Sequence, residues 1–192
     1  MTNQELAKVA NEVRKGVVTA VHAAKSGHPG GSLGAADIMT YLYFEEMNID
    51  PADPHKADRD RFVLSKGHAA PGLYSVLANR GYFPVEELET LRHIGSRLQG
   101  HPNMNDTPGV DMSTGSLGQG VSAAVGMALA APHWGDTSRT YALLGAGEIA
   151  EGQVWEAAVF AGNHAPDHPS LTVDHNSLQV HCNIQDVTSA LP

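Results

Sequence analysis

A single cysteine, Cys182, among 192 residues excludes an internal disulfide framework and agrees with a reducing compartment. Basic residues are scarce too. Twelve Lys and Arg against 21 Asp and Glu leave a net charge of −9, and there is no Lys/Arg-rich run, so the electrostatic footprint of a nucleic-acid binder is missing. No apolar run approaches the roughly 20 residues that span a bilayer, and the opening "MTNQELAKVANEVRK" has an amphipathic helical pattern unlike a signal peptide. The expectation is a cytoplasmic protein with neither nucleic acid nor membrane as partner. The sequence has eleven histidines but no HExxH, no CxxC and no i, i+4 histidine pair on an expected helix, so the usual spacing of a zinc site is absent. His22, His133, His164, His168 and His175 are expected at loops or helix surfaces.

The length suits one sizeable domain. Residues 4–25 place Leu6, Val9, Val13, Val17 and Val21 at helical spacing, which predicts a helix with one packed stripe. "SGHPGGSLG" breaks that helix, and "AADIMTYLYFEEM" resumes one from Ala35 to Met47. "RFVLSKGHAA" predicts a short strand entering a glycine turn, and "APGLYSVLANRGY" a helix closed by Gly81. Pro84 opens a further expected helix with acidic residues in its first turn. The next 25 residues, "SRLQGHPNMNDTPGVDMSTGSLGQG", hold too many glycines and polar residues to be core, and loops of that length tend to be functional. A small-residue helix "VSAAVGMALAA", a strand "RTYALLG", a helix "EGQVWEAAVFAGN" and a strand "SLTVD" follow. This alternation predicts a parallel α/β organisation. Only about three strands are convincing, so an open sheet edge and an obligate associate to cover it are expected.

Three segments share one physical logic: "SGHPGGSLG" (26–34), "TGSLGQG" (114–120) and "GAGEIAEG" (145–152). Glycine lets backbone N–H groups approach a ligand closely, and a following helix offers its positive end. Such loops at strand C-terminal ends point to a phosphate-bearing cofactor.

The strings "SGHPGGSLGAADIM", "DRDRFVLSKGHAAPGLYSVLANRGYFP", "LRHIGSRLQGHPNMNDTPGVDMSTGSLGQGVSAAVGMALAA" and "GEIAEGQVWEAA" resemble the N-terminal, diphosphate-binding half of transketolases over nearly the whole chain. The resemblance implies a thiamine-diphosphate-binding α/β fold, a doubly wound and mainly parallel sheet flanked by helices. Residues 1–192 would form one diphosphate-binding domain, short at its C-terminal end. The implied activity is transfer of a two-carbon ketol unit from a ketose, or ketose phosphate, to an aldose or aldehyde acceptor. His28, His68 and His101 match the family's active-site histidines, and imidazole suits proton handling near neutral pH. Ser116, Leu117 and Gly118 match the loop at the cofactor's aminopyrimidine. Gly145 and Gly147 match the diphosphate loop. Glu151 matches a carboxylate near the subunit interface.

In the family, Mg²⁺ or Ca²⁺ bridges the diphosphate through the aspartate of a GDG loop, an asparagine and a backbone carbonyl. Asn176 fits the asparagine and Leu178 the carbonyl, but Ala146 stands where the aspartate is expected. A methyl group ligates nothing, so weakened metal coordination is implied. Either Glu148 substitutes or water fills the position. The stretch 163–183 departs most from the family pattern, with Pro169 where a strand starts. The catalytic glutamate and the pyrimidine-binding domain are not in this sequence. The resemblance therefore implies a separate C-terminal subunit, assembly as a heterotetramer, and sugar-phosphate substrates. The alternative is a non-catalytic or cofactor-weakened subunit with a structural or regulatory role.

Overall fold

The computed structural model describes residues 1–133, 135–164, 169–175, 178–179 and 182–183. They form two compact units: Met1–Arg59 with Gly67–Ser113, and Asp60–Lys66 with the chain from Thr114 onward.

The first unit is helical. Helix α1 (Asn3–Ala24) starts at a capping box in which the Glu5 N–H donates to Thr2 Oγ1 and the Thr2 N–H donates to Glu5 Oε2. Two donors that a helix start leaves open are thereby satisfied. The stripe it buries is not the expected valine row alone: Ala10, Val13, Gly16, Val17 and Ala20 are buried, while Leu6, Val9 and Val21 are only half-buried. The cause is a close approach to α4 (Ala70–Arg80), where Ser75 Oγ donates to the Val13 carbonyl at 2.8 Å. Small residues win because a larger side chain would hold the helices apart.

The expected break after α1 is shorter than "SGHPGGSLG". Pro29, with its fixed φ, sits at the first position of a six-residue helix, α2 (Pro29–Gly34). α3 (Ala36–Tyr41) follows and runs on into a π-helical turn, Leu42–Glu46. α4 is buried along nearly its whole length and stops at Gly81, whose φ of +102° places it in the left-handed region. The helix expected from Pro84 forms only as a 3₁₀ segment, Val85–Thr90. Its sole buried residue is Leu88, too little apolar stripe to sustain α-helical turns. The long segment that follows is irregular, as expected. The Arg97 guanidinium fixes its near end through a bidentate pair with Glu87 at 2.7 and 2.8 Å, and the Arg59–Asp111 ion pair fixes its far end.

The second unit is an α/β layer. Strand β1 (Arg61–Leu64), helix α5 (Gln119–His133), β2 (Thr140–Gly145), helix α6 (Gly152–His164) and β3 (Pro169–Asp174) build a parallel sheet of order β1-β2-β3. The central strand is buried from Thr140 to Leu144, as expected for a parallel strand covered on both faces. α5 meets the sheet with small residues, Ala124 and Ala128 being fully buried. Pro169 is tolerated as the first residue of the outer strand, paired with Thr140. β4 (Leu178–Gln179) and β5 (Cys182–Asn183) form a separate antiparallel pair. Among the described residues no helix is long and apolar enough to cross a membrane.

The α1–α4 approach yields a test. A Cβ on Gly16 would lie 2.2 Å from Ser75 Oγ and 2.8 Å from Leu88 Cδ1. Gly16→Ala gains about 1 kcal/mol of helix propensity yet is expected to lower stability by about 1–3 kcal/mol through overpacking. Chemical denaturation measures the sign, and a stabilised variant would refute the close packing.

Candidate functional site

The expected histidines come together in the first unit. His28 is the N-cap of α2, and His68 lies in the 3₁₀ turn Gly67–Ala69 that leads into α4. Their rings meet edge to face with centroids 5.2 Å apart. The backbone explains why. A Cβ on Gly72 of α4 would meet Ser32 of α2 at 3.2 Å, so the helices touch nearly backbone to backbone. Buried Ser32 donates its hydroxyl to the His28 and Ala69 carbonyls, at 3.0 and 3.3 Å. Gly31 lies against the His68 ring, with its Cβ position 3.6 Å from Nε2. Gly27, at φ +145°, turns the chain out of α1 in a conformation that side chains rarely adopt.

His101 is held from below. The buried Tyr74 hydroxyl contacts the carbonyls of Gln99 and His101 at 2.9 and 3.1 Å, and burial pushes the phenol well up, keeping it a donor. The Arg92 guanidinium lies across Gly100, where a Cβ would be 3.0 Å away, and donates to Ser26 Oγ at 2.6 Å. Arg92 itself takes a φ of +60°, an uncommon state for a non-glycine residue. Partial burial, then the Arg92 charge and the His28 ring, hold the His101 imidazole below its ordinary pKa. The neutral ring at neutral pH can accept a proton. Tyr74 and Arg92 carry no motif of their own and were not legible as site residues.

The second unit holds the other expected residues. Ser116 is exposed and Leu117 half-buried. Gly118 has a φ of +81°, and its Cβ position is 3.0 Å from Glu151 Cβ. Both constraints require glycine there. Gly145 ends β2, and Gly147 precedes the 3₁₀ turn Glu148–Ala150. Glu151 is exposed just before α6. Leu178 lies in β4, paired with Asn183. Asn176 lies outside the described residues. The loop 145–152 thus runs from the C-terminal end of a parallel strand to the start of a helix. No described residue stands within 4 Å of a Cβ placed on Gly152. That arrangement fits an anionic group such as a diphosphate.

A divalent cation fits less well. Among the described residues no group of three or more His, Cys, Asp or Glu is placed to hold a metal. Ala146 is buried, with its N–H given to the Asp174 carbonyl. The Glu148 carboxylate is 1% exposed and already engaged. Its Oε1 accepts from Ser65 Oγ at 2.5 Å and the Gly118 N–H at 2.9 Å, and its Oε2 accepts from the Gly145 N–H at 3.0 Å. Of the two ways to fill the aspartate's position, substitution by Glu148 has no support in this geometry. Asp174 pairs with Lys66, Nζ to Oδ2 2.5 Å. Lys66, Ser65 and Asp174 are further residues that the glycine pattern did not reveal.

Two outcomes follow. An NMR titration should place the His101 midpoint below the ordinary histidine value of about 6.5, and Arg92→Met should move it upward. An unchanged midpoint would deny the guanidinium its electrostatic role. Glu148→Gln keeps the side-chain volume but turns an amide donor toward at least one of the three donors it now accepts. A loss of about 1–3 kcal/mol in stability is expected, read as a lower Tm, and an unchanged Tm would show that the three bonds are dispensable.

Comparison with known proteins agrees with this geometry. Residues 5–190 match the family described as "Transketolase, thiamine diphosphate binding domain". The 6-deoxy-6-sulfo-D-fructose transketolase subunit of Clostridium sp. (strain MSTE9) is 46% identical over 98% of the chain, which spans 68% of that protein. An apulose-4-phosphate transketolase subunit of Actinobacillus succinogenes is 41% identical over 94% of the chain, which spans 66% of it. The solved transketolase of Leishmania mexicana superposes with a TM-score of 0.93 at 35% identity, over 98% of this chain and 30% of that one. The α/β layer is thus the thiamine-diphosphate-binding fold, and the chain belongs to the transketolase family as its thiamine-diphosphate-binding part.

Proposed function

We propose that the chain is the diphosphate-binding subunit of a two-component transketolase. It transfers a two-carbon ketol unit from a ketose or ketose phosphate to an aldehyde or aldose acceptor. The observation that carries this reading is the meeting of His28 and His68, with His101 held below its ordinary pKa by partial burial and by the Arg92 charge. Thiamine diphosphate, when bound, supplies the nucleophilic carbon that adds to a ketose carbonyl.

The chain's own residues do the rest. His28, His68 and His101 line the substrate side and take or return the protons of hydroxyl and carbonyl oxygens. Ser116, Leu117 and Gly118 contact the aminopyrimidine, and Gly145 and Gly147 bring backbone to the diphosphate. Glu151 faces the partner's catalytic glutamate. Asn176 and the Leu178 carbonyl are the remaining protein ligands for Mg²⁺ or Ca²⁺, whose coordination is weakened by Ala146.

The partner is a separate C-terminal subunit carrying the pyrimidine-binding domain and the catalytic glutamate, in a cytoplasmic heterotetramer. Both the Clostridium and the Actinobacillus relatives are named as subunits. The half-exposed outer strand β3 is also the kind of edge that an associate covers. Residues 1–192 are then one diphosphate-binding domain of that assembly.

Co-expression with a pyrimidine-domain subunit, followed by a ketol-transfer assay at saturating thiamine diphosphate, tests the reading. Turnover is expected from the mixture and from neither chain alone. His28→Ala and His68→Ala should each lower kcat by about 10²–10⁴ while circular dichroism is unchanged. A folded complex without transfer would establish a non-catalytic subunit instead.

A further inference from the structure

Arg92 stands apart from Arg14, Arg59 and Arg97 of the same unit, each of which meets a carboxylate. Among the described residues its guanidinium meets none. Nη1 donates to Ser26 Oγ at 2.6 Å, while Nε, Cζ and Nη2 lie 3.0, 3.1 and 3.1 Å from the Cβ position of Gly100. Three near-equal distances place that position over the plane of the group, so its flat face rests on a residue without a side chain. Ser26 lies two residues before His28, and Gly100 one residue before His101. One planar group thus bridges the segments that deliver two of the three histidines. It does so from an uncommon backbone state. At φ +60° a non-glycine residue is strained, and the turn is held by the Arg92 N–H bond to the Leu98 carbonyl at 2.9 Å. Arg92 is exposed, so it buries little apolar surface to offset that strain. Strain kept without such a return points to function.

Resting on the function proposed above, we infer that Arg92 is a positioning residue for the ketol transfer. Its guanidinium is the strut that sets the His28 and His101 segments relative to one another, with Ser26 Oγ and the bare backbone of Gly100 as its two seats. The histidines move the protons, and Arg92 fixes where they stand. This role is separate from its charge. Any cation at this place acts on the His101 ring, whereas only a planar fork donates to Ser26 and lies flat on Gly100 at once. A misplacement of about 1 Å in reacting groups costs about 10²-fold in rate, so loss of the strut falls on kcat rather than on substrate binding.

Three variants of the full chain, each complexed with the pyrimidine-domain subunit and assayed for ketol transfer, test this. Arg92→Gly removes the strut and relieves the positive φ. Its Tm is expected within about 3 °C of the unmodified value or above it. Its kcat should fall by about 10–100-fold, with KM changed by less than about threefold. Arg92→Lys keeps the charge without the fork and should stay at least about threefold below the unmodified kcat. Ser26→Ala, at an exposed position, should lower kcat by about 3–10-fold and add nothing further to Arg92→Gly. Full activity in Arg92→Lys leaves a charge effect alone and overturns the strut, as does an unchanged kcat in Ser26→Ala. A loss of kcat in Arg92→Gly that accompanies a Tm lowered by more than about 3 °C makes Arg92 structural and overturns its positioning role too. Each of these outcomes leaves the two-component reading standing. No transfer by the unmodified complex overturns that reading, and the role of Arg92 with it.

Discussion

The carboxylate of Glu148 is the constraint on which the second unit depends. A glutamate at 1% exposure is costly unless its oxygens are satisfied, and here three donors from three separate stretches converge on it. Ser65 comes from the end of β1, Gly118 from the turn before α5, and Gly145 from the end of β2. Charge-assisted bonds of this kind are stronger than neutral ones, so the anion fixes two strand ends and one helix start as a single piece. Gly120 packs under the same knot, its Cβ position 2.7 Å from Ser65 Cα. The glycines of "TGSLGQG" thus serve the knot as well as any ligand. A group spent in this way is not available to a metal, and the loop's chemistry must come from elsewhere.

The first unit solves a different problem with different means. Its histidines are separated by 40 and 33 residues along the chain, and what gathers them is close packing of small residues. Gly16 against Ser75 sets α1 on α4, and Gly72 against Ser32 sets α2 on α4. The hydroxyls of Ser32, Ser75 and Tyr74 then tie helices and loop to backbone carbonyls. The His28, Ala69, Gln99 and His101 carbonyls lie at a helix start, in a short turn or in irregular chain, whereas Val13, in the middle of α1, accepts from Ser75 on the second lone pair that every carbonyl carries. The Arg92 turn completes the corner, and its positive φ is held by the Arg92 N–H bond to the Leu98 carbonyl and the guanidinium contact with Ser26.

Periodicity and glycine placement made α1, α4, α5, α6 and the strands β1, β2 and β3 legible, because each has a run of apolar residues with a local start or stop signal. Two elements were misjudged for local reasons. α2 hides inside a glycine-rich string whose Pro29 is a better helix starter than breaker. The stretch after Pro84 has helix-like acidic residues but only one residue that packs. Of the candidate site, the histidines were visible through motif resemblance. Tyr74, Arg92, Ser65, Lys66 and Asp174 were not, because each acts through a partner between 25 and 108 residues away, and no window of sequence contains both members.

By itself the sequence determined the class of the fold, the family, and the absence of an acidic side chain at position 146, since these depend on residue types and their order. Only the tertiary structure decided what that absence means. Whether Glu148 could stand in for it depends on where two carboxylate oxygens point, and they point at Ser65, Gly118 and Gly145. Which carboxylate Lys66 neutralises at the strand ends depends on the path of its stem over a glycine to Asp174. Local sequence sets propensities over a few residues, whereas hydrogen-bond saturation and charge pairing are settled only when distant segments are brought within about 3 Å of one another.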